Sequence, residues 1–232
     1  MPAPTRARRP STPKPRILPW ERILIRTGFN AVRTDTGAFD LSDEMPYNRD
    51  FFSKLLQRLD LSDQFDGRMF QPLEEDFDED LWLGAHDQLH GRAEGPDNEE
   101  IGFPTMRLDL LDTYLSGLLR WINAIGITTV ISCDGHGERW PWISLRNTND
   151  QKIFESILSI LSGDQLIYDR TDLKPLNNQN QNARRSARTS LPAPQSNFRF
   201  KLLEYSEIAH EHREALWVAV EGLRQVRTEV SS

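Results

Sequence analysis

Cysteine is nearly absent from this chain. One residue in 232, Cys133, excludes an internal disulfide framework and fits a reducing compartment, so a cytoplasmic location is expected. Long apolar runs are also missing. None approaches the roughly 20 residues that a membrane span requires, so no membrane association is expected. The opening Met1-Pro2-Ala3-Pro4-Thr5-Arg6 has no apolar segment of a secretion signal. Apolar residues make up 38% of the chain and the mean hydropathy is -0.59, low for a chain packed from end to end. A compact core with polar, poorly ordered extensions is the expected outcome. A basic balance is lacking as well: 28 Lys and Arg stand against 35 Asp and Glu, for a net charge of -7. General nucleic-acid binding is therefore not expected, although local basic stretches offer phosphate contacts.

Composition divides what is there into three parts. Residues 1–19 carry Arg6, Arg8, Arg9, Lys14 and Arg16 with no acid before Glu21, and read as a disordered basic tail. Residues 20–104 read as a helical and irregular region. A short strand is expected over residues 22–29 and a helix over 50–59, with Phe51, Leu55, Leu56 and Leu59 on one face. An acidic stretch over residues 74–80 and a helix near 81–89 follow.

Residues 105–232 read as an α+β core. Leu108, Leu111, Leu115, Leu118, Ile122 and Ile125 recur at steps of three and four, which predicts an amphipathic helix ending at Gly126. The β-branched run over 127–131 and the segment 140–145 predict two strands. Thr148-Asn149-Asp150-Gln151 has capping-box form and opens a second helix. Two more strands are expected over 165–169 and 198–202, the latter from the alternation of Phe198, Phe200 and Leu202 with Arg199 and Lys201. Between them, residues 177–197 read as a flexible insertion containing Arg184, Arg185 and Arg188. A last helix is expected over 206–227. The order helix, two strands, helix, two strands, helix predicts a mostly antiparallel four-stranded sheet with helices packed on one face.

Chemistry concentrates in one place. Cys133-Asp134-Gly135-His136-Gly137-Glu138-Arg139 lies where the first of these strands ends and the second begins. A plain hairpin accounts for part of it, since Asp134-Gly135 is a common turn pair. It does not account for a thiol, a carboxylate and an imidazole gathered in one turn. Three chemistries stay open. Cys133 and His136 supply two ligands of a metal, zinc being a candidate, with further ligands from His86 and His90, four residues apart, or from His212. His212 is favoured over His210 because it falls on the apolar stripe between Ile208 and Ala215. Alternatively, Cys133 is a nucleophile with His136 or His212 as its base. In the third, backbone N–H groups of Gly135, His136 and Gly137 line an anion pocket, with charge from Arg139 and a stacking surface from Trp140 or Trp142.

The run Ile125-Gly126-Ile127-Thr128-Thr129, with Ser132-Cys133-Asp134-Gly135-His136 and Pro141-Trp142-Ile143, resembles uncharacterised bacterial and phage proteins that carry Ser-Cys-x-Gly-His between two strands. That resemblance covers about 35 residues and implies no established activity; a role in phage conflict is its only suggestion. A shorter likeness, limited to Ser132-Cys133 and Gly135, is to the wybutosine-synthesis methyltransferases of tRNA. Those follow the glycine with arginine where this chain has His136, and methyl-transfer chemistry is not carried over. The functional expectation is an enzyme, a hydrolase acting on a nucleotide, nucleic-acid or other phosphorylated substrate. Cys133 and His136 would be its ligands or catalytic groups, and Asp134 or Glu138 its acid–base carboxylate. The alternative is a non-catalytic regulatory module that docks a protein partner and uses the turn as a ligand pocket or hairpin.

Overall fold

The computed structural model of the chain describes residues 18–91, 103–137, 141–162, 169–172, 187–190 and 198–230. The first helix, α1 (Pro19–Arg26), begins with proline at a position where the missing N–H costs nothing, and has Glu21 in its first turn. It buries Trp20, Ile23, Leu24 and Ile25. Three consecutive buried residues suit a helix face against a core and not a half-buried strand, whose side chains alternate. The strand expected over 22–29 is thus a helix for most of its length.

Three short strands, β1 (Val32–Arg33), β2 (Phe39–Asp40) and β3 (Met69–Phe70), pair antiparallel in the order β1-β2-β3. Against them pack α2 (Pro46–Arg58) and α3 (Glu79–Leu89), the second started by Asp78, whose side chain accepts the Leu81 N–H at 3.0 Å. Their shared core is largely aromatic. The ring of Trp20 meets Phe70 and Trp82 edge-on, with centroids 5.1 and 5.8 Å apart, the arrangement that ring quadrupoles favour. Residues 20–89 supply most of this core, which Leu108 and Leu203 complete.

The second core is built mostly by residues after Thr105, with Ile25 of α1 added. Here α4 (Thr113–Ala124) is followed by β4 (Thr129–Cys133), β5 (Trp142–Leu145), α5 (Thr148–Ser162), β6 (Asp169–Asp172), β7 (Ala187–Ser190), α6 (Phe198–Glu211) and α7 (Arg213–Val230). The architecture is α+β. The strands pair antiparallel in the order β4-β5-β7-β6, but this is not the sheet that the sequence suggested. Residues 198–202 open α6 instead of forming a strand. Leu202 and Leu203 are both fully buried, Leu202 in the second core and Leu203 in the first, which a half-buried strand does not permit. Strand β7 lies inside the segment expected to be a flexible insertion, and the rest of residues 177–197 is outside the described residues. So are residues 1–17, most of the expected basic tail, and residues 165–168, most of the third expected strand. The final helix is divided in two at His212. No helix among the described residues is long and apolar enough to cross a membrane.

Helix α4 joins the two cores. Leu115, Leu118 and Ile122 lie in the second, while Tyr114 and, just before the helix, Leu111 touch both. Where α4 meets the end of α1, Gly117 allows direct backbone approach: a Cβ there would stand 2.1 Å from the Arg26 carbonyl oxygen. Trp121 fixes the same junction by donating its indole N–H to the Ile25 carbonyl at 2.8 Å. Gly117→Ala is expected to destabilise the protein by about 2–3 kcal/mol, since the helices must separate to admit the methyl group. Urea unfolding checks this, with a lower midpoint and an unchanged slope.

Candidate metal centre

Strands β4 and β5 close on each other at the pair Cys133 and Trp142. Just past Cys133 the chain turns through Gly135 and His136, whose φ angles are 78° and 50°. Glycine adopts such values freely; histidine does so at a cost. Asp134 offsets that cost. Its Oδ1 accepts the His136 N–H at 2.8 Å and lies 3.4 Å from His136 Nδ1, the side-chain turn that Asp forms with the residue two places on. The Gly135 N–H points at Cys133 Sγ, 3.3 Å away. The turn thus folds thiol, carboxylate and imidazole together.

A fourth group comes from another element. Asp112 precedes α4 at the position where an aspartate usually caps its own helix, yet its side chain makes no cap bond. Its Oδ2 instead accepts the Asp134 N–H at 2.8 Å. As a result one donor atom each from Asp112, Cys133, Asp134 and His136 lie within 4.8 Å of one another. Asp134 is buried, Asp112 and Cys133 are half-buried, and the His136 side chain is exposed at the mouth.

The electrostatics of this group suit a cation. Burial pushes the Cys133 thiol above its usual range, the Gly135 N–H opposes this, and the nearby carboxylates of Asp112 and Asp134 push it further up. The thiolate is the attacking form of cysteine, so this environment disfavours a nucleophilic role. A bound divalent cation inverts that preference by deprotonating a coordinating thiol. Burial also pushes the Asp112 carboxyl up, but the hydrogen bonds from His90 and from the Asp134 N–H outweigh it and hold the group below its ordinary value.

His90 lies at the C-terminal end of α3. Its Nδ1 is 2.7 Å from the Asp87 carbonyl oxygen and its Nε2 is 3.4 Å from Asp112 Oδ1. Both neighbours only accept hydrogen bonds. The bond to Asp112 accordingly raises the His90 pKa, against an opposing contribution from burial. One turn earlier, His86 is fully buried, with Nδ1 3.0 Å from Thr113 Oγ1.

Of the residues singled out in the sequence, the fold brings Cys133, Asp134 and His136 together, with Gly135 shaping the turn and Gly137 closing it. Glu138, Arg139 and Trp140 lie outside the described residues. His212 does not join the group. It is exposed where α6 passes into α7, and His210 takes the inward position, its ring edge-on to Trp121 at 4.5 Å. The apolar stripe that pointed to His212 presumes one unbroken helix. Asp112 was not legible as a site residue, because a lone aspartate before an amphipathic helix has the form of a cap. No family model matches the chain, no curated protein matches it, and no solved structure matches it.

Proposed function

We propose that this hairpin is the metal centre of a hydrolytic enzyme, with Asp112, Cys133 and His136 as ligands of one divalent transition-metal ion. The observation that carries the proposal is the convergence of sulfur, imidazole and carboxylate donors within 4.8 Å. A thiol and an imidazole in one donor set favour zinc or a neighbour in its series over magnesium or calcium, which prefer oxygen.

Asp134 has a different part. Its Oδ1 already faces both the backbone N–H and Nδ1 of His136, the position of a carboxylate that orients a metal-binding imidazole. Asp112, Cys133 and His136 would hold the ion, and water would reach it from the exposed side of His136. A bound ion would supply Lewis acidity and a water of lowered pKa, with Asp134 as the acid–base carboxylate of the reaction. The substrate in this reading is a nucleotide or other phosphorylated compound.

Elemental analysis of protein produced with zinc is expected to find about one equivalent, lost in Cys133→Ala and His136→Ala proteins that remain folded. Wild-type protein that takes up no zinc, cobalt or manganese would sink the proposal. A second reading, a non-catalytic interaction module, draws on a groove of about 360 Å³ bordered by Phe103, Trp121, Trp217 and Val218. Trp217 and Val218 are 50% and 64% exposed. Under that reading both variants keep full biological activity.

A further inference from the structure

We infer that His90 is a positioning residue of this centre, holding the Asp112 carboxylate in the orientation from which it ligates. The inference rests on the metal reading of the hairpin and adds to it a residue that contributes no ligand atom.

The geometry fixes His90 before it reaches Asp112. Its backbone N–H bonds to the His86 carbonyl at 2.9 Å, closing the last turn of α3. Its ring is set by Nδ1, 2.7 Å from the Asp87 carbonyl oxygen; a carbonyl only accepts, so Nδ1 carries the hydrogen. The remaining nitrogen, Nε2, lies 3.4 Å from Asp112 Oδ1, an ion pair with an oxygen that likewise only accepts, so the ring facing both neighbours is the imidazolium.

Asp112 is thereby gripped from two directions, by the α3 imidazole at Oδ1 and by the hairpin backbone at Oδ2. Without the imidazole, Oδ1 would lose its tie to α3, and only the hairpin, through the Asp134 N–H and Cys133, would hold the carboxylate. The alternative task for this side chain, capping α4, is not taken up. Ligands held this way bind their metal more tightly because less freedom is lost on coordination, and removal of such a partner commonly lowers affinity by about 10–100-fold.

The test is a competition titration of the full-length protein with zinc and a chromophoric chelator, together with visible spectra of the cobalt-substituted form. His90→Leu is expected to weaken binding by about 10–100-fold. It should also shift the cobalt ligand-field bands while the thiolate-to-cobalt band from Cys133 persists. His90→Gln, whose amide N–H can replace the Nε2 donor, is expected to restore affinity to within a few-fold of wild type. A general loss of packing would not be rescued selectively by a hydrogen-bond donor. Should His90→Leu fail to fold, His90→Ala removes the same donor without adding an apolar tip. Wild-type affinity and spectrum in the leucine or alanine variant would overturn the role of His90 alone, as would a glutamine variant no better than leucine. A wild-type chain that binds neither metal overturns both the centre and its positioning residue.

Discussion

Replacing Glu44 with glutamine is expected to lower the free energy of unfolding by about 3–5 kcal/mol, the range seen when one side of a buried ion pair is removed. The side chains of Glu44 and Arg120 are both fully buried, with Nη2 and Oε2 3.0 Å apart. Most of the polar groups around them are matched, although Arg120 Nε has no hydrogen-bond partner among the described residues. Glu44 accepts the Asn30 N–H at 2.6 Å and the Asn48 side-chain amide at 3.0 Å, and Arg120 Nη1 donates to the Met106 carbonyl at 2.9 Å. The guanidinium also lies 4.9 Å from the centre of the Phe103 ring. Glutamine preserves the shape and one acceptor but leaves a buried cation without its counter-charge. Desolvation, already lowering the Arg120 pKa against the pull of Glu44, would then be opposed only by the smaller contribution of Tyr47.

The double variant Glu44→Leu with Arg120→Met removes both charges together and is expected to recover a large part of the loss, because no uncompensated ion remains. Denaturant unfolding of the two singles and the double measures this. A single-variant loss below about 1 kcal/mol would place the pair in the class of solvated surface bridges. The effect should extend to the metal centre. Asn48, held by Glu44, grips the Met106 carbonyl and the Leu108 N–H, each at 3.0 Å. That stretch leads directly into Asp112.

How much of this was legible in the sequence depended on the reach of the interactions. The amphipathic pattern of α4 and the hairpin after β4 are local, with a repeat or a turn pair visible in a few consecutive residues, and both formed. Leu108, however, read into the same helix, lies in a separate 3-10 turn over Leu108–Leu110 and belongs to the first core. Where two local patterns compete, the tertiary setting decides. Residues 22–25, Arg-Ile-Leu-Ile, have the β-branched content of a strand, yet Pro19 at the first helical position and a core waiting on one side make them part of α1. Phe198, Phe200 and Leu202 alternate as a strand would, but residues 202 and 203 must face two different cores at once, which a helix lying between them allows. The candidate site divides in the same way. Cys133, Asp134 and His136 are neighbours in sequence and were found there; Asp112 and His90 arrive through the docking of α3 and α4 onto the hairpin, and no spacing rule reaches across 22 and 44 residues to collect them.

Acid is expected to unfold this protein through His86, with an onset below about pH 6.5. The side chain is fully buried among apolar groups, Phe51 edge-on to it at 5.0 Å, and Nε2 has no hydrogen-bond partner among the described residues. Burial, with a smaller contribution from the charge of His90, lowers its pKa from 6.5 to about 3. In the unfolded chain the same ring titrates near its ordinary value. Between these two values the unfolded state therefore holds a proton that the folded state does not. Stability from His86 is complete above about pH 6.5 and falls with each step down towards pH 3, by on the order of 4–5 kcal/mol in all. His210, lowered to about 4 chiefly by burial, acts in the same direction over a shorter interval.

His86→Phe separates this contribution from the rest. At pH 7 the variant should be less stable by about 1 kcal/mol, because the bond to Thr113 is lost. By pH 4, wild type has forfeited about 3 kcal/mol that the variant never depended on, so the order of stability should reverse. Urea unfolding of the metal-free proteins at both pH values measures the crossing. Parallel pH profiles would mean that water reaches Nε2 in the folded state, and that His86 is not the acid-labile point of the fold.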